Sequence, residues 1–163
     1  MKKIILPAIV ILLSAACQNK TENQKLTNNT TQTEMENQTE KKAIEKLLFS
    51  YRDALNTSNV DMVLPLYTHD GVFMPTNAPS AIGQEQVKEA YKFVFSNIQL
   101  HIEFFIDDIK IEGNYAYART SSKGTTLIHA TGETVPEENR ELFVLHKENG
   151  DWKIDQYMFN KTK

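Results

Sequence analysis

Cysteine is almost absent from this sequence: Cys17 is the one cysteine among 163 residues. A single thiol cannot close an internal disulfide, so the fold has to be stabilised by its apolar core. Clusters of Lys and Arg are also missing, and the formal net charge is −3. A mildly acidic chain without a basic patch is a poor partner for nucleic acid. The length and the 40% content of hydrophobic residues indicate one soluble globular domain.

Long apolar runs are missing too, except at the N-terminus. Two basic residues precede an apolar run over residues 4–13, and three small residues follow it: Lys2 and Lys3 before, Ser14, Ala15 and Ala16 after. This layout predicts a secretory signal peptide over residues 1–16. Its apolar segment would form a helix of only about 20 Å, against roughly 30 Å for the core of a bilayer. It is therefore too short to span a membrane.

The end of this segment reads Leu13-Ser14-Ala15-Ala16-Cys17, which resembles the lipobox of bacterial lipoproteins. Ser14 stands where that family usually has a large aliphatic residue, with Leu13 one place further out. The resemblance implies that Cys17 is acylated and anchors the chain to a membrane of the cell envelope, the outer one where there are two. The alternatives are an ordinary cleaved signal, with Cys17 lost or left as a free thiol, and an uncleaved anchor.

The segment after the lipobox is polar and contains no Gly, Pro or aromatic residue. Asn, Gln and Thr supply 15 of the 22 residues in 18–39, and Leu26 and Met35 are the only sizeable apolar side chains. Such a composition cannot bury enough surface to offset the entropy lost on ordering. Residues 17–39 are thus predicted to be the lipidated cysteine and a disordered tether, and residues 40–163 the folded domain.

Helical periodicity appears first near residue 39. Five large side chains repeat at helical spacing: Ile44, Leu47, Leu48, Tyr51 and Leu55. They predict one buried face of a first helix. A short second helix should follow from Val60, limited by Pro65. A third is predicted over residues 84–97, with a buried stripe of Val87, Ala90, Tyr91 and Val94.

The rest of the sequence reads as β-structure. Strands are predicted over residues 72–74, 100–111, 115–126, 142–146 and 152–160, with an acidic loop that contains Glu133, Glu137 and Glu138. Asn149-Gly150 is a strong hairpin signal. Three helical segments followed by long strands predict an α+β fold, a curved antiparallel sheet wrapped over the helices.

Three motifs in this order carry a family resemblance: residues 67–72 (Tyr-Thr-His-Asp-Gly-Val), residues 82–85 (Ile-Gly-Gln-Glu) and residues 149–154 (Asn-Gly-Asp-Trp-Lys-Ile). Together they resemble the SnoaL-like and ketosteroid-isomerase-like members of the nuclear transport factor 2-like superfamily. The resemblance implies a cone-shaped α+β fold with a pocket between helices and sheet, often as a dimer. It implies no single activity, because members include isomerases, cyclases, dehydratases and non-catalytic binders.

The ketosteroid isomerase mechanism uses an Asp base, with a Tyr and a protonated Asp as hydrogen-bond donors. In this resemblance Tyr51 matches the Tyr donor and Arg140 lies near the second donor. Met74 and Pro75 stand where the base should be, and neither accepts a proton, so this template lacks its base. Tyr51 also fits a core tyrosine, and Arg140 a solvated residue at a strand end.

Other candidate sites are weaker. His101 and Glu103 share a strand face, but no third ligand is near, so a solvated face is the alternative to half a metal site. His129 lies near the acidic loop. The sequence has no Gly-rich phosphate loop. No metal and no cofactor are predicted.

The predicted pocket has an apolar lining and a few polar groups at its mouth, and its expected ligand-binding residues are Leu55, Phe73, Tyr91, Trp152 and Ile154, with Tyr51, Arg140 and Gln156 as the polar ones. Arg140 would meet an acidic group of the ligand, and the Tyr51 hydroxyl an acceptor. If Trp152 and Ile154 face the core, strand alternation turns Tyr157 and Phe159 to the other face, where they would form a homodimer surface.

Two functions stay open at this point. The first, which the missing base and the lipid anchor favour, is a membrane-tethered envelope lipoprotein whose pocket binds a small molecule without catalysis. The second is an acid–base enzyme of the isomerase, cyclase or dehydratase type that acts on a small, partly apolar substrate. Buried and paired Tyr, His, Arg or Glu side chains in the pocket would favour chemistry, whereas a wholly apolar lining would favour binding.

Overall fold

A computed structural model describes residues 18–162, with side chains from residue 34 onward. The predicted signal peptide and Cys17 lie outside the described residues. Among the residues that are described, no helix is both long and apolar enough to cross a membrane. The compact unit that carries the sheet begins at Asn37.

The first helix, α1, runs from Gln18 to Asn56. The sequence predicted a disordered tether up to residue 39, whereas the helix begins at Gln18, about seven turns before Ile44, the first residue of its buried stripe. Segment 18–39 has no Pro or Gly to stop a helix, and its Glu, Lys and Gln are good helix formers. The predicted stripe is confirmed, since all five of its side chains are buried: Ile44, Leu47, Leu48, Tyr51 and Leu55.

Two short helical segments and one longer helix follow. α2 spans Val60–Val63, where the Asn59 side chain caps the helix by accepting from the amide of Met62. A 3-10 turn at Leu64–Leu66 leads into the first strand. Further along the chain, α3 spans Gly83–Asn97 and buries Val87 and Tyr91, as its periodicity predicts.

The strands form one curved six-stranded sheet. They are β1 (Tyr67–Met74), β2 (Ala81–Ile82), β3 (Ile98–Glu112), β4 (Tyr115–Ile128), β5 (Glu133–Glu148) and β6 (Asp151–Lys161), in the order β2-β1-β6-β5-β4-β3. The predicted α+β class is confirmed. The sheet is mixed rather than purely antiparallel, because β1 pairs parallel with β6.

Strand β5 is much longer than predicted. It begins at Glu133, so the acidic stretch expected to be a loop is part of the sheet and pairs with β4 along its whole length. The predicted hairpin to β6 is present: Asn149 and Gly150 both have positive φ, 52° and 92°, as a two-residue turn of this kind requires.

Strand β6 contains an extra residue. Val144 pairs with Gln156 and Leu145 with Ile154, so Asp155 is left as a bulge. A bulge shifts the alternation of side chains by one place. Ile154 before the bulge and Tyr157 after it therefore point to the same inner face, and both are buried. The prediction that Tyr157 and Phe159 face away from Trp152 and Ile154 is wrong for this reason.

One carboxylate ties α1 to the β5–β6 hairpin. Lys147 Nζ donates to Glu40 Oε1 at 2.6 Å, and the indole Nε1 of Trp152 donates to Glu40 Oε2 at 2.6 Å. These two hydrogen bonds hold the pKa of Glu40 below its ordinary value. Trp152 is buried, so its N–H has little access to any other acceptor.

The Glu40→Ala variant is therefore expected to lower the free energy of unfolding by about 1 kcal/mol, the cost of leaving one buried donor without its acceptor. Urea denaturation followed by tryptophan fluorescence measures the change. Lys42→Ala is the matched control, because Lys42 is exposed on the same helix. Equal stability of the two variants would contradict this role for Glu40.

Candidate functional site

A partly open cavity of about 130 Å³ lies between α1, α3 and the inner face of the sheet. Its volume is close to the roughly 150 Å³ of an engineered cavity that accepts benzene. One side is apolar and is formed by residues of α1, α3 and β3, whereas the other is formed by β5 and β6. The lining consists of Tyr51, Leu55, Phe73, Pro75, Tyr91, Val94, Ile98, Leu100, Ile102, Glu137, Asn139, Glu141, Tyr157, Phe159 and Lys161.

The structure brings four of the predicted pocket residues together around this cavity: Tyr51, Leu55, Phe73 and Tyr91. Trp152 and Ile154 are buried in the core, but the cavity lining does not include them. Pro75 lies in the cavity wall, so the position where the steroid isomerase template has its base carries no side chain that could accept a proton. Contact of these residues with a ligand stays a prediction.

Arg140 and Gln156 do not face the cavity. Both side chains are exposed on the outer face of the sheet. The sequence analysis placed Arg140 at the mouth of the pocket, but in β5 the inward residues are the odd-numbered ones, Phe143 and Leu145 among them. Gln156 is turned outward by the bulge at Asp155. The expectation that Arg140 and the Tyr51 hydroxyl flank a ligand from the same side is therefore wrong.

Three tyrosine hydroxyls meet at one end of the cavity. The Tyr91 hydroxyl is hydrogen-bonded to that of Tyr51 and, at 2.9 Å, to that of Tyr67. Burial raises the pKa of all three hydroxyls well above the ordinary value, so they stay protonated. Tyr51 is thus both a core residue, as one reading of the sequence held, and part of the cavity wall.

Glu141 stands on the inner face of β5 and is only 4% exposed. It accepts hydrogen bonds from Thr120, from Ser122 Oγ at 2.9 Å and from the Tyr157 hydroxyl at 3.4 Å. Burial raises the pKa of its carboxyl, and the negative charge of Glu137 adds to the rise, which outweighs the three hydrogen bonds. In the part of the chain that the structure describes, Glu141 forms no ion pair.

Glu137 lies four residues earlier on the same face and is 5% exposed. Lys161 Nζ donates to its Oε2 at 2.9 Å, Thr126 Oγ1 to the same atom at 2.8 Å, and Asn139 Nδ2 to its Oε1 at 3.0 Å. Burial alone would raise its pKa, but these donors and the charge of Lys161 together hold the pKa below its ordinary value. Glu137 is thus the member of the pair whose charged form is stabilised, and Glu141 the member whose charged form is disfavoured.

Sequence reasoning missed this polar wall on β5. The signal for it is that every second residue from Glu137 to Leu145 lies on one face of the strand. The first three of these residues are polar, Glu137, Asn139 and Glu141, and the last two are apolar, Phe143 and Leu145. On the partner strand, small and hydroxyl residues alternate at matching positions, namely Ala116, Ala118, Thr120 and Ser122. They leave room for the carboxyl groups and supply their hydrogen bonds.

The remaining sequence candidates lie away from the cavity. His101 and Glu103 are exposed on β3, and Arg52 of α1 forms an ion pair with Glu103 at 3.2 Å. His129 is exposed in the turn after β4, with Nδ1 3.0 Å from the carbonyl oxygen of Ser96. Across residues 34–162, no group of three or more metal-ligating side chains lies close together.

The arrangement can transfer a proton inside an apolar space. Enzymes that use acid–base chemistry often contain two carboxyl groups whose environments shift their pKa values in opposite directions. Glu141 provides a proton acceptor that is not neutralised by a cation, and Tyr51 and Tyr91 provide protonated hydroxyls on the facing wall.

Comparison with known proteins agrees with this description of the fold. Residues 44–159 match the family model described as a SnoaL-like domain. A search of the curated proteins gives no match. Among solved structures, a ketosteroid isomerase-like protein from Erwinia carotovora atroseptica is 30% identical, with a TM-score of 0.72 over 74% of this chain and 95% of that one.

A nuclear transport factor 2-like superfamily protein from Salmonella enterica serovar Typhimurium is 19% identical, with a TM-score of 0.70 over 78% of this chain and 94% of that one. At this identity the likeness shows the fold alone. The family model, by contrast, matches most of the chain and includes every residue of the cavity lining except Lys161. The chain therefore belongs to the SnoaL-like domain family and has the fold of nuclear transport factor 2-like and ketosteroid isomerase-like proteins.

Proposed function

We propose that the domain binds a small, largely apolar molecule in this cavity and exchanges a proton with it through Glu141. The observation that carries the proposal is the position of Glu141: a buried carboxyl with no cationic partner among the described residues, in the wall of a cavity that is otherwise mainly apolar. Keeping such a group out of water costs stability, and sites of function are where proteins accept that cost.

The direct experiment is native mass spectrometry of the full-length protein purified from its own host. A molecule of about benzene to naphthalene size retained in stoichiometric amount supports a ligand-binding cavity, and its dissociation on Leu55→Trp, which fills the cavity from α1, places it there. A retained molecule that the filled cavity still holds would contradict the assignment of the site.

The second candidate is binding without catalysis. It is favoured by the hydrogen bonds that already occupy both oxygens of Glu141, because a carboxylate held in this way can act as a fixed acceptor for a ligand. The two functions differ in one readout. A base has to lose activity when its charge is removed, whereas a fixed acceptor only loses affinity.

We also propose that the domain is displayed from a bacterial membrane through acylated Cys17. The support is the lipobox-like segment that precedes the cysteine. Cys17→Ala is expected to abolish incorporation of radiolabelled palmitate and to release the protein from the membrane fraction, because one thiol carries the anchor. The matched control is Ser14→Ala, which leaves the thiol in place. Undiminished labelling of Cys17→Ala would end the lipoprotein proposal.

We still propose that the domain forms a homodimer, but through a different surface from the one that the sequence predicted. Tyr157 and Phe159 face the core, so they cannot form the association surface. The outer face of the sheet instead exposes Tyr115, Tyr117 and Leu142. An apolar outer face of this kind is a common site of association between sheets.

A further inference from the structure

The polar wall of the cavity consists of three residues on the inner face of β5: Glu137, Asn139 and Glu141. All three are buried, and Asn139 is 6% exposed. Their cross-strand neighbours on β4 are Gly124, Ser122 and Thr120. The directions of the hydrogen bonds in this wall determine what kind of ligand group it can accept.

The hydrogen-bond directions follow from one fixed end. Glu137 is paired with Lys161 and only accepts, so Asn139 Nδ2 donates one proton to Glu137 Oε1 at 3.0 Å. The other proton of Asn139 Nδ2 goes to Ser122 Oγ at 3.2 Å. Ser122 Oγ therefore donates its own proton to Glu141 Oε1 at 2.9 Å. The reverse orientation of the amide would set its oxygen against a carboxylate.

These hydrogen bonds leave one buried acceptor of the wall without a donor. Asn139 Oδ1 is buried and has no hydrogen-bond partner within residues 34–162. Glu141 accepts three hydrogen bonds, and a carboxylate has about four lone-pair sites, so one site is left there as well. Lys161, the one cationic residue in the cavity lining, is already paired with Glu137. What the wall lacks is a donor.

The rest of the lining fits an apolar body next to that donor. Phe73, Tyr157 and Phe159 are stacked along β1 and β6, with ring centroids 5.8 Å apart between Phe73 and Tyr157 and 5.9 Å apart between Tyr157 and Phe159. Aromatic faces attract cations as well as other rings. A ligand acid would meet acceptors and the charge of Glu137, which is the opposite of the polarity that an inward Arg140 would have given.

We propose that the cavity takes a small amine on an apolar or aromatic body, whose N–H groups donate to Asn139 Oδ1 and Glu141. This inference rests on the proposed function, because it presupposes that the cavity holds a ligand. The ammonium group supplies up to three donors and a positive charge, and both are missing from the wall.

The test uses four probes that share one ring: toluene, benzyl alcohol, benzylamine and benzoate. Each is titrated into the full-length protein at neutral pH, where benzylamine is protonated. Binding is followed by methyl NMR of the cavity residues Leu55, Val94 and Ile102. We expect benzylamine to bind about tenfold or more tightly than toluene, benzyl alcohol to lie between them, and benzoate to bind most weakly.

Glu141→Gln separates charge from shape. In this variant the advantage of benzylamine over toluene should fall about tenfold while toluene affinity stays the same. Glu133→Gln, which removes an exposed carboxylate from the start of the same strand, should leave the advantage intact. If Glu141→Gln does not fold, the order of the four probes on the unmodified protein decides.

The two levels of the proposal fail in different ways. If no probe shifts the cavity methyl groups, the proposed binding function is overturned, and the inference with it. If toluene binds but benzylamine binds no more tightly, or benzoate binds best, only the amine inference is overturned. A loss of toluene affinity in Glu141→Gln equal to that of benzylamine would also overturn it, because Glu141 would then maintain the cavity rather than recognise the amine.

Discussion

Glu141→Gln is expected to reduce general-base catalysis inside the cavity by about 100-fold or more, the usual contribution of a positioned base. The reporter is the ring opening of nitrobenzisoxazole. The base removes the proton on the ring carbon, the N–O bond breaks, and a coloured cyanophenolate is released while the carboxyl group holds the proton. Gln has nearly the shape of Glu but accepts no proton at this pH, so the loss measures the base itself.

The rate of the same reaction is expected to depend on pH in one direction. The carboxyl must be ionised to act as a base, and burial raises the pKa of Glu141. The rate should therefore rise with pH through a midpoint above the ordinary value for Glu, and the rise should vanish in Glu141→Gln. Glu133→Gln is the control, because Glu133 is exposed and outside the cavity. A rate that is unchanged in Glu141→Gln would reject the catalytic proposal and leave the fixed-acceptor alternative.

Phe143→Ala is expected to lower the free energy of unfolding by about 3–5 kcal/mol, the range for removing a buried aromatic side chain. Phe143 is fully buried, and its ring stacks on Tyr157 with centroids 4.4 Å apart and meets Tyr51 edge-on at 5.6 Å. Chemical denaturation measures the change. Its neighbour provides the matched control: Leu142 is 40% exposed on the other face, and Leu142→Ala should cost less than about 0.5 kcal/mol.

This pair of variants tests the register of β5 directly. The opposite register, in which Leu142 and Arg140 face inward, would make Leu142→Ala the costly change. A larger loss of stability in Leu142→Ala than in Phe143→Ala would therefore remove Glu137, Asn139 and Glu141 from the cavity wall. It would at the same time restore Arg140 as a candidate for binding a ligand acid.

Where local pattern decides the structure, the sequence was sufficient. The buried stripe of α1, the extent of α3 and the Asn149-Gly150 hairpin each follow from spacing or from turn chemistry within a few residues. The family resemblance then assembled these elements into the correct α+β fold. The cavity residues that come from helices and from β1, such as Tyr51, Tyr91 and Phe73, were predicted for the same reason.

The cavity wall formed by β5 and β6 could not be predicted from local sequence, because it is determined by the pairing of distant strands. Residues 142–145 are four consecutive apolar residues, so either strand register would bury two of them. Carboxyl groups are normally exposed, and Glu137 and Glu141 are stable inside only because β4 supplies Thr126, Thr120 and Ser122 as donors. Such long-range pairing is not visible in the sequence of one strand, and Arg140 was placed at the pocket for the same reason.

The extra residue at Asp155 also bears on how this cavity can change over generations. Loss of that one codon would bring Gln156 directly after Ile154 and restore regular alternation in β6, with Tyr157, Phe159 and Lys161 still on the inner face. A one-residue deletion between Tyr157 and Lys161 would instead turn every later residue of the strand to the other face. The bulge thus makes one position in this wall of the cavity tolerant of a deletion. The same genetic event a few codons later would change the lining and with it what the cavity can bind.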